Sequence, residues 1–172
     1  MTYEAPNDTF ARELNAAESG GTRIAQSMIE RGFEHLTLPA RDELDVLRVG
    51  FNRPIERRPR DIRVSQQELR MDLQKIRVAL RPKVFSLMAK APVSELRLGI
   101  IYALADIIDV QYVASWGPLW AALERHDWPL VMTELLNCNW EGLAGTTQAK
   151  KALFARLITA LMTDTAPAGL LQ

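Results

Sequence analysis

The segment SELRLGIIYALADIID, residues 94–109, constrains the fold of this chain more than any other part of its sequence. Between Leu96 and Ile108 its side chains are apolar around most of a helical circumference, and such a helix has to be covered by other elements. The apolar run at 98–105 is too short to cross a bilayer and ends at Asp106. We therefore expect a buried central helix with the rest of the chain packed around it.

The segment before this helix predicts a second, amphipathic helix. Ser65 and Glu68 have the spacing of an S-x-x-E capping box, in which the two side chains satisfy backbone N–H groups at the start of a helix. Apolar residues then recur at helical spacing until Pro82. Because proline has no backbone N–H, we expect the helix to end there, with a short helical turn at residues 84–89.

Tryptophans accompany the helices that follow. Trp116, Trp128 and Trp140 are spaced by twelve residues, and each interval accommodates one short helix and its turn. Their places at helix junctions favour packing in the core over a sugar-binding surface. A final helix with one apolar stripe is expected to be capped by Thr146 or Thr147.

The N-terminal part combines helical signals with the signals of a small sheet. A first helix is expected to end at Gly20 and Gly21, and a second helix to run from Thr22 to Gly32. Residues 36–51 then change to an alternating pattern, which predicts a small β-hairpin or meander.

The predicted fold class is α+β and mostly α, in four parts. A connector at 53–63 holds five arginines and two acids, a composition more typical of a solvated loop than of a nucleic-acid site. The parts are an N-terminal helical extension at 1–21, a small α+β lobe with this connector at 22–63, a helical lobe at 64–165, and a tail at 166–172.

Charge, cysteine and histidine content argue against several kinds of partner and site. Twenty-one basic and twenty-one acidic residues cancel, so no net charge favours nucleic acid or an anionic membrane. One cysteine, Cys138, excludes an intrachain disulfide, and with only two histidines a metal site is not expected. No glycine-rich phosphate loop is present, and we expect no cofactor. The N-terminus lacks a secretion signal, so the protein is expected to be soluble and cytoplasmic on synthesis.

The order of these elements and the residues of the C-terminal half resemble the phage-type lysozymes. In that family an aromatic residue opens one helix, and a tryptophan follows a leucine-rich stretch and a charged pair. A second tryptophan precedes a helix that begins with alanine and basic residues. The similar residues here, in the same order, are Trp116, Trp128, Trp140 and the Ala-Lys-Lys of residues 149–151. The resemblance covers residues 62–165 and, more weakly, 28–53. It implies a lysozyme-like fold, with a small helix and hairpin lobe, a connecting helix and a helical lobe.

The resemblance also implies a site for the hydrolysis of peptidoglycan: a glutamate before a glycine, an aspartate on the sheet, and a threonine before an Ile-Gly pair. Asp42 has the spacing of the aspartate, although a turn residue is an equal alternative. Arg48 occupies the threonine position, and a guanidinium cannot accept a proton from water. Arg31 occupies the glutamate position, while Glu30, one residue earlier, is rotated by about 100° on the helix.

A further position of the family pattern is altered on the next strand. Where the family has a histidine, this chain has Arg53. Arg53 is expected to pair with Asp72, which would keep a structural link although the chemistry is lost.

These departures favour a non-catalytic lysozyme-like protein of phage or prophage origin, which binds other structural proteins of a tail or baseplate, or itself, in the virion. The N-terminal extension and the arginine-rich connector would be its contact surfaces. One alternative is an active muramidase that binds peptidoglycan, with Glu30 as a displaced general acid and Asp42 as its electrostatic partner. The other is an intracellular interaction or inhibitor protein whose likeness to lysozyme is architectural only.

Overall fold

A computed structural model of the chain describes residues 6–54, 61–138 and 147–171. Most of these residues are helical, and one small antiparallel sheet lies between the first two helices of the sequence. The predicted α+β, mostly α class is therefore confirmed. The helices are α1 (Pro6–Gly32), α2 (Ile62–Lys90), α3 (Glu95–Ile107), α4 (Val110–Ala114), α5 (Gly117–Glu124), α6 (Trp128–Leu136) and α7 (Gln148–Thr163). The strands are β1 (Leu36–Arg41), β2 (Leu47–Gly50) and β3 (Arg53–Pro54).

The buried central helix that the apolar segment predicts is α3. The hydroxyl of Ser94 caps it by accepting a hydrogen bond from the backbone N–H of Arg97 at 3.1 Å. Every residue from Leu98 to Ala105 is buried, and α1, α2 and α7 pack against the helix. None of the helices in the described ranges has the length and apolar content needed to span a membrane.

One continuous helix, α1, replaces the two predicted helices, so the predicted end at Gly20 and Gly21 is wrong. The glycines lie where α1 packs closely on α3. A Cβ on Gly21 would lie 3.1 Å from side-chain atoms of Leu98 and Tyr102, and a Cβ on Gly99 would lie 2.9 Å from the backbone oxygen of Gly21. This close packing of two helix backbones offsets the low helix propensity of glycine.

The N-terminal half of α1 is part of the packed core. Leu14 and Glu18 are 7% and 2% exposed. The Glu18 carboxylate forms an ion pair with Arg77 of α2, with 3.3 Å between Oε2 and Nε, and Arg77 also donates to the side chain of Asn15. The inward-facing side chains of the predicted N-terminal extension are therefore buried in the core or in contact with α2.

The helix α2 has different ends from those predicted. Its N-cap is Asp61, whose side chain accepts a hydrogen bond from the backbone N–H of Val64 at 2.8 Å. Ser65 lies inside the helix, so the predicted capping box is wrong. Pro82 also lies inside α2 and does not end it. The proline is on the exposed face, and buried apolar residues continue on both sides of it, so packing offsets the lost backbone hydrogen bond.

The short helices follow the predicted tryptophan pattern as far as the described residues extend. Trp116 precedes α5 and is 9% exposed, while Trp128 opens α6. Trp140 and Thr146 lie outside the described residues. Thr147 caps α7, as predicted, and its hydroxyl accepts a hydrogen bond from the backbone N–H of Lys150 at 3.2 Å.

The predicted hairpin is formed by β1 and β2, and β3 pairs with β2 on its other side. Ala40 lies opposite Arg48, and Val49 lies opposite Arg53, with an irregularity in β1 before Ala40. This register places two arginines on adjacent strands, near α2 and α3. Residues 55–60 of the predicted connector lie outside the described residues.

Candidate functional site

A cleft with a volume of about 390 Å³ lies between the sheet and the helices. The sheet and its β2–β3 turn form one wall, and α2, the junction of α3 with α4, and the first turn of α7 form the others. Seven charged residues converge on it, which makes it the candidate site. They are Arg48, Arg53, Asp72, Lys75, Asp106, Asp109 and Lys150.

Arg53 links three walls of this cleft. Its Nη1 and Nη2 donate to the two carboxylate oxygens of Asp106 at 2.6 and 2.7 Å, in bidentate geometry. Its Nη1 also lies 3.4 Å from the carboxylate of Asp72. The predicted pair with Asp72 is therefore confirmed, but the shorter contacts are with Asp106. A signal for this second partner is present in the sequence, because Asp106 ends an apolar run and a buried charge requires a partner.

The pKa values of Arg53 and Asp72 are both raised. Burial would lower the pKa of Arg53, but the neighbouring carboxylates, Asp106 first, outweigh burial and raise it. Burial raises the pKa of Asp72; Arg53 opposes this shift and Asp106 reinforces it, so the pKa stays above its ordinary value. Arg53 is therefore firmly charged, and it is held by two carboxylates of the cleft.

Asp42 is built into the hairpin turn. Its Oδ1 accepts hydrogen bonds from the backbone N–H groups of Leu44 at 2.8 Å and Val46 at 3.0 Å, and its Oδ2 accepts one from Arg48 at 3.3 Å. Burial would raise the pKa of Asp42, but the bonds from Val46 and Leu44 and the charge of Arg48 outweigh it, so the pKa is below the ordinary 3.8. Of the two interpretations of Asp42, this geometry favours the turn residue.

Lys150 belongs to the cleft, although sequence reasoning did not single it out. The residue is only 5% exposed. Burial lowers its pKa, and Arg48 lowers it further, whereas Asp42 and Asp106 oppose the shift. In the sequence Lys150 is one of two adjacent lysines at a helix start, and only the packing of α7 against α3 and α6 shows which of them is buried.

Glu30 and Arg31 lie at the end of α1 and do not line the cleft. The carboxylate of Glu30 accepts a hydrogen bond from the side-chain amide of Gln26 at 2.8 Å, and Arg31 is exposed. Among the described residues that line the cleft, Arg48 is present and Glu30, Arg31 and Asp42 are not. The structure therefore does not bring Glu30 and Asp42 together in the cleft.

A second polar contact joins the sheet region to α2. His35 Nε2 lies 2.8 Å from the hydroxyl of Ser65, and Ser65 is 1% exposed. The backbone of Gly50 has a φ of 62°, and a Cβ there would lie 2.9 Å from the Ser65 hydroxyl. Although serine and histidine can form a nucleophilic pair, this serine is buried against the sheet, so the contact holds the two elements together.

Neither metal ligation nor known relatives add to this description. Within residues 6–54, 61–138 and 147–171, no group of three or more histidine, cysteine, aspartate and glutamate side chains could hold a metal ion. No protein-family model matches the chain, and no curated protein matches its sequence.

Proposed function

We propose that this chain is a lysozyme-like protein of phage or prophage origin that binds rather than hydrolyses, as a structural or binding component such as part of a tail or baseplate. One observation carries the proposal. Asp42, the implied catalytic aspartate, accepts hydrogen bonds from two backbone N–H groups of its own turn and from Arg48, the residue that replaces the threonine. The origin and the assembly role rest on the family resemblance alone.

The geometry is unfavourable for the hydrolysis of a glycosidic bond. That reaction needs a protonated acid on one side of the bond and a carboxylate on the other, with about 5–10 Å between the two. Asp42 accepts three hydrogen bonds and has a lowered pKa. Glu30 does not line the cleft, and its carboxylate accepts a hydrogen bond from the side chain of Gln26.

Acids inside the cleft do not replace the missing pair. Asp72 and Asp106 both contact Arg53, at 3.4 and 2.6 Å, and Asp109 caps α4 by accepting a hydrogen bond from the backbone N–H of Tyr112 at 2.8 Å. Each of these carboxylates therefore already forms an ion pair or accepts a hydrogen bond within the protein. The raised pKa of Asp72 reflects burial first and does not free it from Arg53.

A clearing assay on purified peptidoglycan tests the proposal, with an active phage lysozyme as the positive control. We expect no loss of turbidity with the parent protein. Clearing by the parent that disappears in Glu30→Gln or Asp42→Asn would overturn the proposal and establish the muramidase alternative. Sedimentation of the protein with insoluble peptidoglycan, measured in parallel, separates binding of the wall from its cleavage.

The double variant Arg31→Glu, Arg48→Thr supplies a second readout. It restores the residue types that the family resemblance implies, and it releases Asp42 from the contact with Arg48. Clearing by this variant, together with inactivity of the parent, would support a lysozyme cleft that has lost its chemistry. The matched control is the single variant Arg31→Glu, which leaves Asp42 bound and is expected to be inactive.

A further inference from the structure

Besides Arg53, three cations line the candidate cleft, one on each of three walls. They are Arg48 on β2, Lys75 on α2 and Lys150 in the first turn of α7. Lys75 is exposed, Arg48 is half-buried and Lys150 is buried. Positive charge therefore reaches the cleft from the sheet and from both of these helices.

The acids that line the cleft are held by other groups of the fold. Asp106 and Asp72 contact Arg53 at 2.6 and 3.4 Å. Asp109 accepts a hydrogen bond from the backbone N–H of Tyr112 at the start of α4. The negative charges of the lining are thus concentrated around Arg53 and at the start of α4.

Arg48 has donors that the fold does not use. Its Nε donates to Asp42 at 3.3 Å, but within the residues that the structure describes its Nη1 and Nη2 groups form no hydrogen bond. The side chain lines the cleft and is 12% exposed. A guanidinium binds a carboxylate or a phosphate through paired N–H donors. Arg48 can therefore donate to an anion in the cleft while it stays bonded to Asp42.

The charges of Arg48 and Lys150 repel each other. Burial is the largest cause of the lowered pKa of Lys150, and the charge of Arg48 lowers this pKa further, although Asp42 and Asp106 oppose the shift. An oxyanion close to both cations would relieve the repulsion and stabilise the charged form of Lys150. The pair is therefore better suited to an anion than to a neutral or cationic group.

The size and the remaining lining of the cleft suit a small ligand. Its volume of about 390 Å³ is in the range of small-molecule sites. Phe33, Phe51 and Val110 also line it. An apolar group next to the oxyanion would contact these side chains, and such a combination of apolar walls with a few polar groups is typical of ligand pockets.

We propose that the cleft binds the carboxylate or phosphate group of a small organic anion, which Arg48 and Lys150 hold. The proposal deepens the proposed function and rests on its premise that the chain binds rather than hydrolyses. The two can fail separately. Clearing of peptidoglycan by the parent would overturn the proposed function without changing the affinity for an anion, and a lack of anion binding would not change the result of the clearing assay.

Two anions that differ only in their charged group test the proposal, namely benzoate for a carboxylate and phenyl phosphate for a phosphate. Benzyl alcohol is their neutral counterpart. Binding to the full chain is measured by isothermal titration calorimetry at about 0.15 M salt, where weak surface electrostatics are screened. We expect saturable binding of at least one anion, which identifies the charged group, and no saturable binding of benzyl alcohol.

Variants of the two cations locate the bound anion. Lys150→Met is expected to raise the Kd about tenfold, because a charged donor is lost while the aliphatic bulk is kept. Its matched control is Lys151→Met, which removes the adjacent, exposed lysine. Arg48→Lys is expected to raise the Kd about threefold, because lysine keeps the charge but lacks the paired donors. Its matched control is Arg41→Lys on β1, an arginine that does not line the cleft.

Three results would overturn the proposal. Neither anion binds to the folded parent, benzyl alcohol binds as tightly as the anions, or the control variants weaken binding as much as the cleft variants do. The last result would show general attraction to surface charge. Circular dichroism checks that each variant is folded, and Arg48→Lys with its control decides the outcome if Lys150→Met does not fold.

Discussion

At the scale of single residues, Asp42 stabilises the hairpin through both of its carboxylate oxygens. The backbone N–H groups of Leu44 and Val46 donate to one oxygen, and Arg48 donates to the other. The side chains of Asp42 and Arg48 are each 12% exposed, so water screens this pair less than it screens a fully exposed pair. The hydrogen bonds and the pKa of Asp42 are therefore determined by the turn that it closes and by Arg48.

Asp42→Ala is expected to lower the free energy of unfolding by about 1–2 kcal/mol near pH 7, because two backbone donors and Arg48 lose their acceptor. Urea unfolding of the parent and the variant measures the difference. Asp42→Asn keeps an acceptor for the turn and is expected to lose less. An unchanged unfolding free energy in Asp42→Ala would show that the turn does not depend on this side chain.

The same pair of proteins should show a defined pH dependence. The folded-state pKa of Asp42 lies below the ordinary 3.8, so its ionised form stabilises the fold above that pH. This contribution is lost as the pH falls through the folded-state pKa. The difference between the parent and Asp42→Ala should therefore be constant above about pH 5 and narrow below about pH 4. A difference that grows with acidification would contradict the assignment.

At the scale of elements, the two long helices depend on packing more than on local signals. In α1, Gly20 and Gly21 look like a helix end, and in α2, Pro82 looks like one, yet both helices continue. Close packing on α3 stabilises the first, and the buried face of α2 stabilises the second. Relative to alanine, a glycine inside a helix costs about 1 kcal/mol and a proline costs about 3 kcal/mol. The packing of a long apolar face stabilises the helix by more than these costs.

Gly99→Ala tests the close packing of α1 on α3. The new Cβ would lie 2.6 Å from Ile24 and 2.9 Å from the backbone oxygen of Gly21, so one of the helices has to shift. We expect a loss of about 1–3 kcal/mol in the free energy of unfolding, measured by thermal or urea denaturation. The control is Gly117→Ala, because a Cβ there has no neighbour within 4 Å. Equal stability of the two variants would show that the contact between α1 and α3 tolerates a methyl group.

At the scale of the whole molecule, Arg53 connects the sheet to the helices. Asp106 lies on α3 and Asp72 lies on α2, so one guanidinium on β3 contacts both. The Arg53 and Asp106 side chains are 13% and 7% exposed. Breaking such a buried pair leaves a charge without its partner, which costs more than the pair contributes when intact.

Arg53→Met is expected to lower the free energy of unfolding by about 3–5 kcal/mol, because Asp106 would remain buried without its bidentate partner. The double variant Arg53→Met, Asp106→Leu should recover a large part of this loss, and denaturant unfolding of all four proteins completes the cycle. Arg41→Met is the matched control, since the pair of Arg41 and Asp45 is 58% and 85% exposed and is worth less than about 1 kcal/mol. If Arg53→Met behaved like Arg41→Met, the pair would not hold the sheet to the helices.

The sequence by itself determined the elements whose signals are local or periodic. The apolar circumference of α3 requires burial, Thr147 is one of the two residues expected to cap the last helix, and the alternating pattern predicts the hairpin. The pair of Arg53 and Asp72 was also predictable, but from the resemblance rather than from local chemistry. Each of these properties depends on a few neighbouring residues, which the sequence lists in order.

Only the tertiary structure decided which helices continue and which charges meet. The helix α2 continues through Pro82 because its opposite face is buried in the core, and α1 continues through Gly20 because it packs closely on α3. Asp106 reaches Arg53 because β3 lies beside the end of α3. The burial of Lys150 depends in the same way on elements that are distant in the sequence. Such contacts are set by the free energy of packing the whole chain, which can exceed any single local preference.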